Sequence, residues 1–228
     1  MYNKFLIRYL EPLTSGDYPF IMKAIVGERL PSFTEEEKKL VQGSYDFIAI
    51  NYYTSRYAEG LLINANDMPI SYDADRYINY YVENGGEYVQ PSEKMIPLCP
   101  LVWDPTNVSV YPKGLMNLLI YLKNYYNNPK IFISENGTGE GRDDTIPISE
   151  ALKDVDRIKY IDAHIKAVYE ALSAGVNVQG YFVWSLIDGM EPNQGYTLRM
   201  GLTYIDYLNN LNRIPKQSAE WLENFMRP

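Results

Sequence analysis

The amino-acid sequence predicts an α/β fold in which short buried strands alternate with helices. Two observations support this prediction: several short apolar runs have the length of buried strands, and segments with helical periodicity lie between them. Such alternation is typical of βα units on a parallel sheet, either doubly wound or part of a barrel. The chain has 228 residues, of which 46% are hydrophobic, and this is enough for a sizeable core.

The helices are predicted from periodic apolar residues and from terminal signals. The clearest one covers residues 149–174, where apolar residues recur every three or four positions. Thr34 and Glu37 have the spacing of a capping box and predict the start of a short helix. Pro112 stands at the expected start of another helix, and a last helix is predicted over residues 216–225.

Three strands are predicted at residues 45–50, 131–134 and 178–184, with a weaker one at 201–205. Between residue 54 and about residue 107 the pattern fails, and turn residues dominate without a lasting period. This segment is predicted to be a long inserted loop. In an α/β barrel the loops that follow the strands surround the active site.

Composition excludes several classes of function. The formal charge of −8 and the pI near 4.8 argue against binding to nucleic acid or to an anionic membrane. The one cysteine, Cys99, and the one histidine, His164, cannot build the usual metal sites, so neither metal nor cofactor is expected. His164 is spaced like a surface position and is interpreted as structural. No signal peptide and no apolar stretch of ~20 residues is apparent, and the compartment stays unknown.

Polar and aromatic residues follow each of the three main strands. Asn51 and Tyr53 come after the first strand, Glu135 after the second, and Trp184 and Glu191 at or after the end of the third. The carboxyl ends of strands in a parallel barrel share one face. We therefore expect an amide, a tyrosine, two carboxylates and a tryptophan to converge on one cleft.

Glu135 has two interpretations from the residues alone. It could be an ordinary loop or helix-initiating carboxylate, which is the common case for an acidic residue. However, it directly follows an apolar strand and precedes Asn136-Gly137, a pair suited to left-handed backbone, which predicts a tight turn. A fixed carboxylate with a tyrosine hydroxyl nearby has the properties of a nucleophile at an acetal carbon.

Residues 133–137, Ile-Ser-Glu-Asn-Gly, resemble the (I/V)-T-E-N-G motif of glycoside hydrolase family one, with serine in place of threonine. Further motifs that resemble plant members of the family occur in the family's order: Gly16-Asp17-Tyr18-Pro19, Arg29-Leu30-Pro31-Ser32-Phe33, Gly43-Ser44-Tyr45-Asp46-Phe47, Asn51-Tyr52-Tyr53-Thr54, Tyr111-Pro112-Lys113-Gly114-Leu115 and Tyr181-Phe182-Val183-Trp184-Ser185-Leu186. The resemblance runs almost end to end, except in the inserted loop.

The resemblance implies the C-terminal part of a (β/α)8 TIM barrel, with residues 1–228 forming part of a catalytic domain. It implies retaining β-glucosidase chemistry on O-glycosidic bonds, with plant specialised-metabolite glucosides as substrates. Glu135 would be the nucleophile, and Tyr53 would orient it. The residues that the resemblance assigns to sugar binding are Asn51, Trp184, Glu191 and Tyr196. No cofactor is needed, because two carboxylates carry this chemistry.

Two departures from the family pattern affect the function. The family's acid/base motif, Thr-(F/L)-Asn-Glu-Pro, does not occur in these 228 residues, and Pro192 replaces a tryptophan of the sugar-binding loop. An alternative interpretation is therefore a truncated, non-catalytic carbohydrate-binding or partner protein. The expected partners are a small-molecule β-glucoside and either the missing N-terminal half or a second copy of the chain, because an open barrel leaves unpaired edges.

Overall fold

The structure is a computed structural model. The structure describes residues 4–62, 71, 74–85, 87–88, 90–91, 109–192 and 194–227. The chain divides into two compact units. The first contains Met1–Asp46 and Arg56–Tyr88, and the second contains Phe47–Ser55 and Val89–Pro228. The prediction that residues 1–228 form part of one catalytic domain stays a prediction.

The secondary structure alternates as the sequence predicts. The helices are α1 (Lys4–Ser15), α2 (Phe20–Val26), α3 (Glu35–Val41), α4 (Pro112–Tyr125), α5 (Ile148–Ala151), α6 (Val155–Ser173) and α7 (Gln217–Met226). The strands are β1 (Ile48–Asn51), β2 (Tyr57–Gly60), β3 (Ile78–Tyr81), β4 (Glu83–Asn84), β5 (Glu87–Tyr88), β6 (Gln90–Pro91), β7 (Ser109–Val110), β8 (Ile131–Asn136), β9 (Glu140–Gly141), β10 (Val178–Val183), β11 (Leu198–Arg199), β12 (Thr203–Asp206) and β13 (Asn212–Pro215). None of the helices among the described residues is long and apolar enough to span a bilayer.

The described residues of the first unit form the α-helices α1 to α3, two 3-10 helices (Gly27–Arg29 and Ala74–Arg76) and two short antiparallel strand pairs, β2–β3 and β4–β5. The predicted capping box of α3 is confirmed. The Thr34 hydroxyl accepts from the Glu37 amide at 3.2 Å, and the Glu37 carboxylate accepts from the Thr34 amide at 2.8 Å. Helices α1 and α2 were not predicted, because their apolar runs are short and broken.

The segment expected to be a long loop contains regular structure. Strands β2 and β3 lie within it and pair antiparallel, Tyr57 with Tyr81 and Gly60 with Ile78. These strands are only four residues long, which is too short for a clear alternating pattern in the sequence. Residues 63–70 and 92–108 of this segment lie outside the described residues.

The second unit is organised around a three-stranded parallel sheet in the order β1-β8-β10, with β8 in the centre. These are the three main predicted strands. The fourth predicted strand, residues 201–205, lies elsewhere: β12 pairs antiparallel with β13. A short apolar run predicts a buried strand but does not identify its partner, and the hairpin partner β13 is mostly exposed.

Helices α4 and α6 pack against each other in this unit. Leu115, Leu119 and Leu122 of α4 are fully buried, as are Ile131 and Ile133 of β8. The leucines recur every three or four residues and the isoleucines every two, which are the periods of a helix face and a strand face. The sequence pattern therefore selects which face of each element becomes the core.

The predicted helix 149–174 divides into α5 and α6. Of its periodic apolar residues, Ile161 and Val168 are buried, whereas Val155 and Leu172 are 43% and 44% exposed. The buried face also carries Tyr160 and His164, which the apolar pattern did not include. The interpretation of His164 as a surface position is therefore wrong. Its ring stacks on Tyr160 at 4.0 Å, and its Nδ1 is 2.7 Å from the Tyr160 carbonyl oxygen.

Arg157 of α6 points inward because its guanidinium has hydrogen-bond acceptors there. Its guanidinium is buried and donates to the carbonyl oxygens of Thr138, Arg199 and Met200 and to the Asp154 carboxylate. Buried backbone carbonyls need hydrogen-bond donors. The arginine on this face therefore joins the helix to the segments around Thr138 and around Arg199 and Met200.

Candidate active site

The carboxyl ends of the three parallel strands place Asn51, Tyr53, Glu135 and Trp184 at one edge of the sheet. Asn51 of β1 is paired with Glu135 of β8, and a bulge between Ile50 and Asn51 shifts the register there. The Tyr52 amide donates to the Glu135 carbonyl oxygen at 2.9 Å. Bulges commonly redirect side chains next to active sites, and here the bulge is followed directly by Tyr52 and Tyr53.

Tyr53 and Glu135 are in direct contact. The Tyr53 hydroxyl donates to Glu135 Oε2 at 2.6 Å, a short bond typical of a neutral donor and a charged acceptor. Burial raises the pKa of Tyr53 well above its ordinary value, and the hydrogen bond to Glu135 is the second cause of this rise. The phenol therefore stays protonated and remains a donor to the carboxylate.

Trp184 and Glu191 form a second contact pair. The Trp184 indole Nε1 donates to Glu191 Oε1 at 3.2 Å, and Glu191 is only 9% exposed. Burial raises the pKa of Glu191, the Trp184 hydrogen bond lowers it, and the charge of Glu135 raises it further. A buried carboxyl whose pKa is raised in this way is typical of a functional site.

Asn51 and Tyr196 make different contacts. The Ser134 hydroxyl donates to Asn51 Oδ1 at 2.7 Å, so the serine at the motif's threonine position keeps the donor. Tyr196 is 51% exposed and meets the Tyr207 ring edge-on at 5.4 Å. No hydrogen bond among the described residues joins Tyr196 to Glu135. The sugar-binding roles of these residues stay predictions.

Gly137 is required by a close backbone approach and not by left-handed backbone. A Cβ at this position would lie 1.9 Å from the Trp184 carbonyl oxygen, and the φ of Gly137 is not in the left-handed region. The Trp184 amide also donates to the Asn136 carbonyl oxygen at 2.9 Å. The prediction of a tight turn at Glu135 is therefore wrong, because β8 continues through Asn136. Gly137 instead allows the close approach of the backbone at Trp184, directly after β10.

Sequence reasoning missed a buried polar cluster beneath the strand ends. Asn136, Tyr160 and Tyr181 are joined by hydrogen bonds and reach the backbone of Tyr52 and Tyr53. The sequence contained one signal for this cluster: Asn136 directly follows Glu135 in β8, so its side chain must point to the opposite face of the sheet. The tyrosines gave no signal, since buried tyrosine is common.

No group of three or more potential metal ligands occurs among the described residues.

Comparison with known proteins identifies the family. The family model for glycosyl hydrolase family 1 matches residues 2–228. The chain belongs to glycosyl hydrolase family 1.

Several proteins that this chain resembles are plant β-glucosidases. A rice β-glucosidase, β-glucosidase 24, is 44% identical over 218 residues, which is 96% of this chain and 41% of that protein. Furostanol glycoside 26-O-β-glucosidase of Hellenia speciosa is 44% identical over 96% of this chain and 36% of its own length. The crystal structure of the rice β-glucosidase Os3BGlu6 superposes with a TM-score of 0.87 at 33% identity, over 99% of this chain and 45% of that one.

These matches confirm the predicted family and fold. The three parallel strands with their helices are the C-terminal part of the family-1 (β/α)8 barrel. The chain spans about two fifths of the length of the curated relatives that it matches.

Proposed function

We propose that this chain carries the nucleophile and part of the sugar-binding site of a retaining β-glucosidase that acts on glucosides of plant specialised metabolites. The observation that supports this most is the 2.6 Å hydrogen bond from Tyr53 to Glu135 at the ends of adjacent strands. Membership of glycosyl hydrolase family 1 and the names of its plant relatives support the substrate class.

In the proposed reaction a Glu135 carboxylate oxygen attacks the anomeric carbon while the glycosidic C–O bond breaks. The leaving oxygen takes a proton from an acid/base carboxyl group, and a covalent glucosyl ester on Glu135 results. Water, deprotonated by the same acid/base group, then attacks the anomeric carbon and releases glucose and the free carboxylate. Tyr53 directs one Glu135 oxygen and leaves the other available for attack.

Glu191 and Trp184 would hold the glucosyl group. Among the described residues, the Glu191 side chain accepts a hydrogen bond from the indole of Trp184, and a carboxylate has room for further hydrogen bonds from sugar hydroxyls. The Trp184 side chain is 36% exposed and offers an aromatic face to the sugar. These two residues lie on the loop that follows β10, while Glu135 belongs to β8, so each strand end supplies one function.

The acid/base carboxyl would come from outside this sequence. The family's motif for it does not occur in the 228 residues, and the relatives extend well beyond the matched region. Full turnover is therefore proposed only for an assembly that supplies this carboxyl. Formation of the glucosyl ester from a reagent with a good leaving group needs little help from it.

The test is to incubate the chain with a 2-deoxy-2-fluoro-glucoside bearing an activated leaving group and to measure the intact mass. We expect one glycosyl adduct, mapped to Glu135 by peptide analysis. Glu135→Gln should form no adduct, because an amide of the same shape is not a nucleophile. The matched control is Glu170→Gln, which changes an exposed carboxylate on α6 and should label at the wild-type rate. An adduct on another residue, or none on folded chain, would contradict the proposal.

A second candidate function is sugar binding without catalysis. The absence of the acid/base motif and the proline at residue 192 favour it for this chain. It predicts saturable binding of glucose or a glucoside by calorimetry, with no adduct at Glu135. Replacing Pro192 with tryptophan should strengthen that binding if this loop contacts the sugar.

A further inference from the structure

We propose that Tyr160 is a positioning residue for the candidate nucleophile and acts on Glu135 through Tyr53. This inference rests on the proposed function. Tyr160 lies on α6, 107 residues after Tyr53 in the sequence, and its side chain is 2% exposed. It therefore acts without contacting substrate.

The contact that carries the proposal joins Tyr160 to the backbone of Tyr53. The Tyr160 hydroxyl donates to the Tyr53 carbonyl oxygen at 2.8 Å, while the Tyr53 hydroxyl donates to Glu135 at 2.6 Å. Tyr53 lies two residues beyond the end of β1, so no strand ladder holds it. The hydroxyl of Tyr160 supplies the restraint that strand pairing would otherwise give.

Asn136 completes the same network from β8. Its side-chain NH₂ donates to the Tyr52 carbonyl oxygen at 2.6 Å and to the Tyr160 hydroxyl at 3.2 Å, and its oxygen accepts from the Tyr181 hydroxyl. The carbonyl oxygens of both Tyr52 and Tyr53 are thus fixed. Asn136 is adjacent to Glu135 in the sequence, so one network holds the nucleophile's own strand and the residue that donates to it.

The polar side-chain atoms of Asn136 and Tyr160 are all hydrogen-bonded. Each side-chain donor and acceptor of Asn136 has a partner, and Tyr160 both donates and accepts. Burial raises the pKa of Tyr160, which keeps its hydroxyl a donor. His164 supports Tyr160 in two ways: its ring stacks on the Tyr160 ring, and its Nδ1 lies 2.7 Å from the Tyr160 carbonyl oxygen. Buried networks with every member satisfied are rigid and specify one arrangement.

Rigidity here has a chemical consequence. A tyrosine side chain has few rotatable bonds, so its hydroxyl follows the position of its backbone. A misplacement of about 1 Å at a reacting group can lower a rate by about 100-fold. Losing the Tyr160 hydroxyl should therefore slow attack by Glu135 without changing the groups that bind the sugar.

The experiment measures labelling of the full chain by the activated 2-deoxy-2-fluoro-glucoside as a function of reagent concentration. This gives a maximal rate, kinact, and an inhibition constant, KI. We expect Tyr160→Phe to lower kinact about 10-fold, the value of one hydrogen bond of about 1.4 kcal/mol, with KI within about twofold of wild type. Tyr169→Phe, an exposed tyrosine on the same helix, is the matched control and should match wild type.

A double variant separates positioning from a general structural role. If Tyr160 acts only through Tyr53, the pair Tyr53→Phe and Tyr160→Phe should label no more slowly than Tyr53→Phe alone. Additive losses in kinact, or equal losses in kinact and affinity, would overturn the proposal. If Tyr160→Phe does not fold, Tyr181→Phe tests the same network from its other end and should lower kinact to a smaller extent.

A second readout does not depend on labelling. The Tyr53 hydroxyl proton, bound to a carboxylate at 2.6 Å, should give a downfield proton NMR signal that is absent in Tyr53→Phe. The signal should shift or broaden in Tyr160→Phe and stay in place in Tyr169→Phe. If wild-type chain forms no adduct, the proposed function fails while this signal still decides the positioning role. An unchanged signal in Tyr160→Phe would overturn it.

Discussion

Glu191 is a residue whose charge the fold makes less favourable. Its burial, and the nearby charge of Glu135, raise the pKa of the carboxyl above its ordinary value. The charged form accepts hydrogen bonds from sugar hydroxyls more strongly than the neutral form does. As the pH falls, this carboxylate is therefore protonated earlier than an ordinary glutamate.

This predicts a pH-dependent affinity for the activated fluoroglucoside. KI should rise as the pH falls, beginning above the pH at which an exposed glutamate titrates. Glu191→Gln should weaken binding at neutral pH and remove this part of the pH dependence. Measuring KI from pH 4 to pH 8 for both proteins tests the prediction, and an identical pH profile in the variant would contradict it.

His164 is the second residue whose protonation the fold controls. Burial lowers its pKa to about 4 from an ordinary value of 6.5. Between these values the unfolded chain binds a proton that the folded chain does not, so the free energy of unfolding falls as the pH falls. At about 1.4 kcal/mol per pH unit, the loss approaches about 3 kcal/mol near pH 4.

Because His164 is the only histidine, its imidazole proton NMR signal can be assigned directly. We expect the signal to titrate near pH 4 in the folded chain. His164→Phe should flatten the dependence of the free energy of unfolding on pH in this range, measured by urea denaturation. Titration near pH 6.5 in folded chain would show that the imidazole is not buried.

At the scale of secondary-structure elements, the contact between β8 and the end of β10 depends on a glycine. A Cβ on Gly137 would clash with the Trp184 carbonyl, which is backbone and cannot rotate away. We expect Gly137→Ala to lower the free energy of unfolding by several kcal/mol, as steric strain in a packed core does. Gly189→Ala, with its nearest atom at 3.9 Å, should change it by less than about 1 kcal/mol.

Thermal or urea unfolding of the two variants measures this difference. The Tyr53 hydroxyl proton signal, recorded on folded Gly137→Ala, reports whether the strand end itself has moved. Equal stability of the two variants would mean that the strands can separate without cost. The close approach of the two backbones, and not local conformation, therefore requires this glycine.

At the scale of the whole molecule, the parallel sheet is unpaired along two edges. Among the described residues, β1 and β10 each pair only with β8. Phe47 and Phe182, beside and within these strands, are 51% and 57% exposed, and Leu186 is 75% exposed. Exposed edges with apolar residues favour association with another chain.

We therefore expect the chain to self-associate, with a sedimentation coefficient that rises with concentration. Phe182→Lys should reduce this association, because a charge on an edge strand opposes pairing. Leu208→Lys, an exposed leucine between β12 and β13, is the control and should not. Coexpression with the N-terminal part of a family-1 β-glucosidase should compete with self-association. A monomer at all concentrations would contradict the prediction.

The sequence by itself determined the family, the three parallel strands and the set of residues at their ends. Periodicity located β8 and α4 because their buried faces are apolar, and the capping box located α3 because its signal is local. The motif around Glu135 identified the candidate nucleophile. These features depend on residues close together in the sequence, or on spacing along one element.

Only the tertiary structure decided which polar residues lie inside. The buried face of α6 carries Arg157, Tyr160 and His164. Arg157 and Tyr160 meet backbone carbonyl oxygens there that are distant in the sequence, those of Met200 and Tyr53. The reason for Gly137 was likewise a distant backbone atom, the Trp184 carbonyl oxygen. Such partners come from far along the chain, and no local pattern encodes them. Burial of a polar group is favourable only when its partner is in place, and the fold alone supplies that partner.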